Sequence, residues 1–492
     1  MKVYQPRITV TLVKVIGRKD LGSAKQGPAK RFGALTSKTI DLTPYLGEMG
    51  SVHVSKGVSE PAGAFSISFG DEPHSEYLES LYGVIEPMDL VEIRMAREPH
   101  KFAAKKKLPI VMRGFVSDVR REQAMGPDGR PFRRVTVAGQ DYGKILQLLQ
   151  IIYINNAVVG DNIIHAFPFI EKYKIDTSNN PDVQTFVEQI VSEMVQKFVD
   201  QMPWSKTSLD IARPFAKLVP LVSAEGKICS QLVNAWPGGG PLYALLSLAC
   251  DVSTGWNELF VHDREDDVAI VLRPTPFIRA DGSLIPPADQ GWFAPEASIS
   301  DADIVAISAT RADDEIANFF WVRHARWPLI SDEAMRLLSQ PLPVGDHPNC
   351  DPTLYGIRML DTSLNLGAPG EFVGDGPRRD VMVKHDEVEL AWQKSRLEIL
   401  KEASWDSVIF ERGMMRLKGN ENVRAGMFLK VTMGKLTHRV YVTRVDHEFA
   451  PFGGFYTAIQ YDRGTGFIVR AGTEKAPFYR EMNTEGAYRK DV

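Results

Sequence analysis

Two stretches far apart in this chain follow one plan, and that repetition limits the folds open to it. From Pro87 the sequence reads PMDLVEIRM, then MRGFVSDVRRE, then GRPFRRVTVAGQDYGK; from Arg424 it reads RAGMFLKVTM, then HRVYVTRVDHEF, then GGFYTAIQYDRGTG. Each stretch opens with a turn into a strand of alternating apolar positions: Val91, Ile93 and Met95 in the first, Phe428, Lys430 and Thr432 or their neighbours in the second. Each continues with a strand ending in a polar turn that holds an acid, Asp118 or Asp446. Each closes with a glycine-led strand that stops at Asp141-Tyr142-Gly143 or at Asp462-Arg463-Gly464. Alternation with period two is the mark of a half-buried strand, so the repetition predicts two similar β-domains. Closed assemblies use cyclic symmetry. Three such chains present six similar units in a ring, which meets a sixfold partner on one side and a threefold partner on the other.

The remainder of the chain reads as strands, helices and linkers in turn. Ile8 to Ile16 is a β-branched run, Phe65, Ile67 and Phe69 share one face of another strand, and Phe115 to Val119 and Val135 to Ala138 are joined by the turn at Met125 to Gly129. The period then changes. Asp141 to Ile151 has helical spacing, and a longer helix carries Val183, Phe186, Val187, Ile190, Val191, Met194, Val195, Phe198, Val199 and Met202 on one stripe. Asn180-Pro181-Asp182 starts that helix and Pro203 ends it. The stripe reads as a core face, with no need for a cofactor box.

Trp236 to Pro241 is a cluster of breakers, followed by a short helix from Leu242 to Cys250. Asn257 to His262 and Val268 to Arg273 flank the acidic run Asp263 to Asp267, the pattern of a hairpin with a solvated charged tip. Pro341 to Gly376 reads as a long linker, Lys384 to Phe410 as an amphipathic helix, and strands follow to about Val469. The expected division is a first β-domain at 1–150, a helical insertion at 151–235, a middle α+β domain with its Pro/Gly-rich linker at 236–375, a second β-domain at 376–470 and a polar tail at 471–492. The fold class is α+β and β-rich.

A length of 492 residues calls for roughly three or four domains. With 44% hydrophobic and 24% charged residues, large-scale disorder is not expected. A net charge of -4 gives no global reason to wrap nucleic acid. Cys229, Cys250 and Cys350 are odd in number and far apart, so they read as buried thiols of a reducing compartment. The start of the chain lacks the apolar core of a secretion signal, and no apolar run reaches the roughly 18 residues that cross a bilayer. Synthesis in a cytoplasm, without stable membrane insertion, is the expectation.

Catalytic and ligand motifs are scarce. His447-Glu448-Phe449-Ala450-Pro451 has proline where a zinc-binding HExxH needs its second histidine, and no GxSxG elbow or Walker loop occurs. The acidic run at Asp263 lacks the ordered glycine turn of a calcium loop, and the Asp346 to Asp351 stretch reads as loop polarity. No catalytic residue, cofactor site or metal site is assigned. The basic stretch between Gly17 and Gly33 stands out: Arg18, Lys19, Lys25, Lys30 and Arg31 face the single acid Asp20. A connection of this length is more often functional than idle, so these five residues are the candidate partner-binding set. Lys105-Lys106-Lys107 reads as solvated charge.

The succession GAFSISFGD, IEPMDLVEIRM, MRGFVSDVRRE and GRPFRRVTVAGQDYGKIL resembles baseplate hub proteins of contractile phage tails. That group includes the late-control D proteins and the amino-terminal part of type VI secretion spike proteins. The segment GWNELFVHDREDDVAIVLRPTPF is similar to the same group through Asn257, Glu258, Leu259, Arg273, Pro276 and Phe277, and the stretch from RLKGNENVRAGMFLKV resembles its second tube-like domain. The resemblance covers most of residues 60–150, 236–280 and 380–467. It implies two tube-like β-barrel domains in a homotrimer that forms a pseudo-hexameric ring. It also implies tail tube proteins on one face, a trimeric spike on the other, other baseplate proteins and the tape measure protein as neighbours, and DNA only in transit. The place implied is the virion baseplate, and the role structural rather than enzymatic. No long β-helix repeat follows Val469, so the spike is expected to be a separate protein. A cell-wall hydrolase at the hub, tested by clearing of peptidoglycan, and a plain tube component without spike binding are the rival readings.

Overall fold

The computed structural model describes residues 5–14, 38–71, 80–125, 129, 131–152, 182–206, 208–224, 239–278, 284–285, 294–323, 347–364, 379–433 and 436–464. The alternating sequences of the first third become β1 (Arg7–Lys14), β2 (Lys38–Asp41), β3 (Ser51–Gly57), β4 (Ala64–Gly70), β5 (Leu90–Ala96), β6 (Ile110–Met125) and β7 (Pro131–Gln140). They form an antiparallel array in the order β3-β4-β7-β6-β5-β1-β2. Phe65, Ile67 and Phe69 do share a buried face, packed with Val52, Val54, Ile93, Met95, Val135 and Val137. Strand β5 departs from simple alternation: every residue is buried, including Glu92 and Arg94, because both of its faces are covered.

The helix expected to reach Ile151 runs only from Gly143 to Leu148. Leu149 turns extended, and β8 (Gln150–Ile152) pairs there with β10 (Gly239–Pro241). The long stripe is helical over Val183–Gln189, Ile190–Val195 and Gln196–Gln201, with one π-type stretch in the middle. Asp182 caps it, its carboxylate accepting from the Thr185 N–H at 2.6 Å. Eight of the ten stripe residues are buried, while Phe198 and Met202 are half-buried against the same core. That core also holds Phe115, Tyr142, Trp204 and Phe215, so the helical layer packs on the end of the first array. Beyond it, β9 (Leu218–Val222) lies parallel to β12 (Val268–Pro274), which forms the expected hairpin with β11 (Asn257–Asp263). A short pair, β13 (Phe277–Ile278) and β14 (Leu284–Ile285), follows.

The second array takes strands from two places. β15 (Glu296–Ser300) and β16 (Ile304–Thr310) come before the linker region; β19 (Glu411–Lys418), β20 (Phe428–Met433), β21 (Leu436–Ala450) and β22 (Gly454–Gly464) come after it. Between them β17 (Phe319–Arg323) pairs in parallel with β18 (Met359–Ser363), so the stretch read as pure linker contains a strand. The helix Arg379–Ser404 packs over β17 through Leu397 and Leu400. The array's order is β16-β19-β22-β21-β20-β15, place for place that of β3-β4-β7-β6-β5-β1. Only the last position differs in sense, since β1 is antiparallel to β5 and β15 is parallel to β20. Among the described residues neither array closes into a barrel.

Registers fix the correspondence residue by residue. The β6–β7 ladder slips between Val116 and Asp118, and the β21–β22 ladder slips between Val442 and Arg444. Ser117 and Thr443 are therefore the same bulge. On the other edge, Val116 exchanges backbone hydrogen bonds with Met88 and Asp89, as Val442 does with Gly426 and Met427. Met88 and Gly426 both have positive φ, 72° and 81°. Two expected equivalences shift. Asp118 and Asp446 lie inside long strands rather than in turns, and Asp118 corresponds to Arg444. Gln140 corresponds to Asp462, so the closing Asp motifs are offset by one residue.

Candidate assembly interface

The two arrays meet strand to strand. Residues Arg444 to Phe449 of β21 pair antiparallel with Gly57 to Val52 of β3, and the Val58 N–H donates to the Thr443 carbonyl at 3.0 Å. Phe449 and Phe455 cross the seam and enter the core of the first array. His447 sits in the same seam, opposite Val54, with Nδ1 3.0 Å from the Thr457 hydroxyl. Burial pushes its pKa down to about 4, so it is neutral at pH 7.

The β11–β12 hairpin braces both arrays, and its tip is only partly solvated: Glu265 and Asp266 are exposed, whereas Asp263 and Asp267 are buried. Arg113 of β6, 0% exposed, drives its guanidinium into the tip. It donates to the carbonyls of Arg264, Glu265 (2.8 Å) and Asp267 (3.3 Å), while its Nε holds Glu92 at 3.0 Å. Arg94 holds Glu265 at 2.9 Å, and Lys56 lies between Asp263 at 2.5 Å and Asp141 at 3.3 Å. Burial would lower the Lys56 ammonium, but Asp263 and Asp141 outweigh it and its pKa is raised. Burial pushes Asp141 up to about 6 against the pull of Lys56. Buried acids with such partners are held as ion pairs, and removing one member is costly.

At its other end the hairpin grips the second array. Arg273 donates to the Gly426 carbonyl at 2.6 Å and lies 3.3 Å from Glu258, which accepts from the Tyr441 hydroxyl at 2.5 Å. Gly426 is needed twice over. Its φ favours glycine, and a Cβ there would stand 2.7 Å from the Arg273 guanidinium. Asn257 donates to the Ala249 carbonyl at 2.7 Å, and Phe277 lies under the Arg463 guanidinium at 4.3 Å. The motif residues singled out in GWNELFVHDREDDVAIVLRPTPF thus include those that clamp the hairpin in place. Sequence reading missed Arg113, Lys56 and Tyr441, whose only local signal was a charge or hydroxyl inside an apolar strand.

The basic residues Arg18, Lys19, Lys25, Lys30 and Arg31 lie outside the described residues. Strand β1 leads toward them and ends at Lys14, which is buried and bound to the Val84 carbonyl at 2.8 Å and to Glu86 at 3.0 Å. Lys105, Lys106 and Lys107 are exposed. His347 stacks on Trp405 at 4.5 Å and Asn349 donates to Asp406 at 2.7 Å, so these polar side chains of the loop are held by the segment after the long helix. Cys350 is buried and Cys250 half-buried, with burial pushing the Cys250 thiol up to about 12. No group of three metal-ligating side chains occurs among the described residues, and no helix among them is long and apolar enough to cross a membrane.

No protein-family model and no curated protein matches the sequence. Solved structures do match the fold. A tail protein from Neisseria meningitidis MC58 is 10% identical, with a TM-score of 0.45 over 94% of this chain and 97% of its own. The 43 kDa tail protein of prophage MuSo2 from Shewanella oneidensis is also 10% identical, with a TM-score of 0.45 over 92% and 98%. An E. coli type VI secretion component, described as similar to bacteriophage T4 tail proteins, is 10% identical, with a TM-score of 0.37 over 84% and 72%. At these TM-scores no function is carried across. The chain is similar, at 10% identity, to these tail and secretion proteins.

Proposed function

We propose that this chain is the structural hub of a contractile phage tail baseplate, a homotrimer that adapts a sixfold tail tube to a threefold spike. The observation that supports it is the strand-for-strand equivalence of the two arrays, joined side by side through β21 and β3. Three chains then supply six equivalent arrays around one axis. In the ring each array belongs to a tube-like domain, the first at 1–150 and the second at 376–470 with β15 and β16 added. The helical layer from 151–235 packs on the first array, and the β11–β12 hairpin from 236–375 braces both. Tail tube proteins sit on one face, the spike and other baseplate proteins on the other, and DNA passes along the axis in the virion. Arg18, Lys19, Lys25, Lys30 and Arg31 orient docking onto an acidic neighbour rather than supply affinity.

Light scattering on the purified protein tests the reading, together with electron microscopy of tails. The expected result is three chain masses and a ring of six similar units. A monomer or a hexamer of this chain in assembled tails overturns it.

A further inference from the structure

The seam between the arrays uses two strand edges, and each has a counterpart that no further strand covers among the described residues. Edge one is β21 from Arg444 to Phe449; by the shared bulge its counterpart is β6 from Asp118 to Gln123. Edge two is β3 from Val52 to Gly57. Its counterpart follows from the ladders beside it, where Val52 opposes Ile67 on β4 and Ile307 opposes Met415 on β19. Ile67 and Met415 hold the same place against β7 and β22, opposite Val137 and Ile459. The counterpart of Val52 is therefore Ile307, and that of Ser55 is Thr310. Among the described residues, β6 beyond Val116 is paired only with β7, and β16 only with β19.

Both bare edges carry exposed apolar side chains. Met125 at the end of β6 is 71% exposed; Val305 and Ile307 on β16 are 50% and 41% exposed. Natural sheets rarely leave such an edge uncovered, because its free N–H and C=O groups recruit another strand.

We propose that β16 of one copy adds to β6 of the next copy, antiparallel, in the register of the β3–β21 seam. Ser55 opposes Asp446 and His53 opposes Glu448 within the chain. Between chains, Thr310 accordingly opposes Arg120, Ser308 opposes Glu122 and Ile307 opposes Gln123. Two residues further, at the irregularity of β16 between Ile304 and Ala306, Val305 comes to the level of Met125. The contact is heterologous and closes after three repeats, so seams within and between chains alternate around the ring. The assignment rests on the trimeric reading above and adds which edges meet and in what register.

The seam also fixes the direction of the backbone groups. The Val58 N–H points to β21, and the direction alternates along a strand, so Val54 points the same way and its counterpart Ala309 points out of β16. Ser308 and Glu122 then form a pair without mutual hydrogen bonds, where side chains lie closest.

The test combines Ser308→Cys with Glu122→Cys under mild oxidation. Single variants serve as controls for Cys229, Cys250 and Cys350, and Ser308→Cys with Gln123→Cys serves as the slipped register. The first pair is expected to give a covalent trimer on a non-reducing gel, at least tenfold above either control. Ala309→Pro, which removes an N–H without an acceptor strand among the described residues, is expected to leave the melting temperature within a few degrees while the trimer is lost. A trimer by light scattering that fails to link through Ser308 and Glu122, links better through the slipped pair, or survives Ala309→Pro overturns the edge assignment and leaves the trimer standing. A wild-type chain that is monomeric even in assembled tails removes both.

Discussion

The two arrays share six strand positions, one bulge and one positive-φ turn, yet they treat the same central pair of residues in opposite ways. In the first array Arg113 opposes Glu92 and is wholly buried under the hairpin tip. The corresponding Arg439 opposes Lys430 and turns away, to Glu296 at 3.0 Å and across the Phe428 ring at 4.2 Å. Backbone plan and side-chain chemistry are thus separable. Bulge and turn keep the registers, while the layer covering each face decides which charges can be buried.

The largest expected effect breaks that contrast directly. Arg113→Met strips three tip carbonyls of their donor and should cost about 3–5 kcal/mol, as breaking a buried ion pair does. Arg439→Met should cost about 1 kcal/mol or less. Chemical denaturation of both variants checks this, and equal losses would mean that the two sites are alike. A comparable loss is expected on the helical layer, which packs on the first array: Phe186→Ala should cost about 3–5 kcal/mol. Phe198→Ala should cost less, because that ring is only half-buried. An unchanged melting temperature for Phe186→Ala would place the stripe outside the core.

A smaller effect sharpens the turn equivalence. Gly426→Ala meets both an unfavourable φ and the Arg273 guanidinium, and should cost about 1–3 kcal/mol. Met88→Gly relieves the same φ but loses half-buried packing, so stability should change by less than about 1 kcal/mol. The smallest effect concerns acid. The unfolded chain protonates His447 below its ordinary 6.5, whereas the native chain resists until about 4. Native binding of fewer protons means that stability falls as pH drops through that window. Asp89 and Asp141, each raised to about 6 by burial, act in the opposite sense, so the informative quantity is a difference. His447→Phe should flatten the decline of melting temperature between pH 6.5 and 4.

Local pattern made the strands legible, because Phe65-Ser66-Ile67-Ser68-Phe69 and its like state their own period and burial. The duplication was legible for the same reason, but only to within a residue or two. Asp118 and Asp446 look alike in sequence, and only the hydrogen-bond ladders reveal that they sit two places apart. The recruitment of β15 and β16 into the second array was not legible, since pairing across more than a hundred residues leaves no trace in a short window. Nor was the buried tip at Asp263. An acidic turn looks solvated until Arg113, Arg94 and Lys56 are seen to meet it from strands that are far away in the chain.

The seam through β21 has a mechanical consequence. A strand that belongs to both arrays leaves no hinge between them, so force applied to one passes straight to the other along a shared row of hydrogen bonds. The hairpin, anchored at its tip and its base, adds a second tie in parallel. The pair therefore tilts or slides as a single stiff plate. Within the chain, the hairpin makes this seam stiffer than strand pairing alone would.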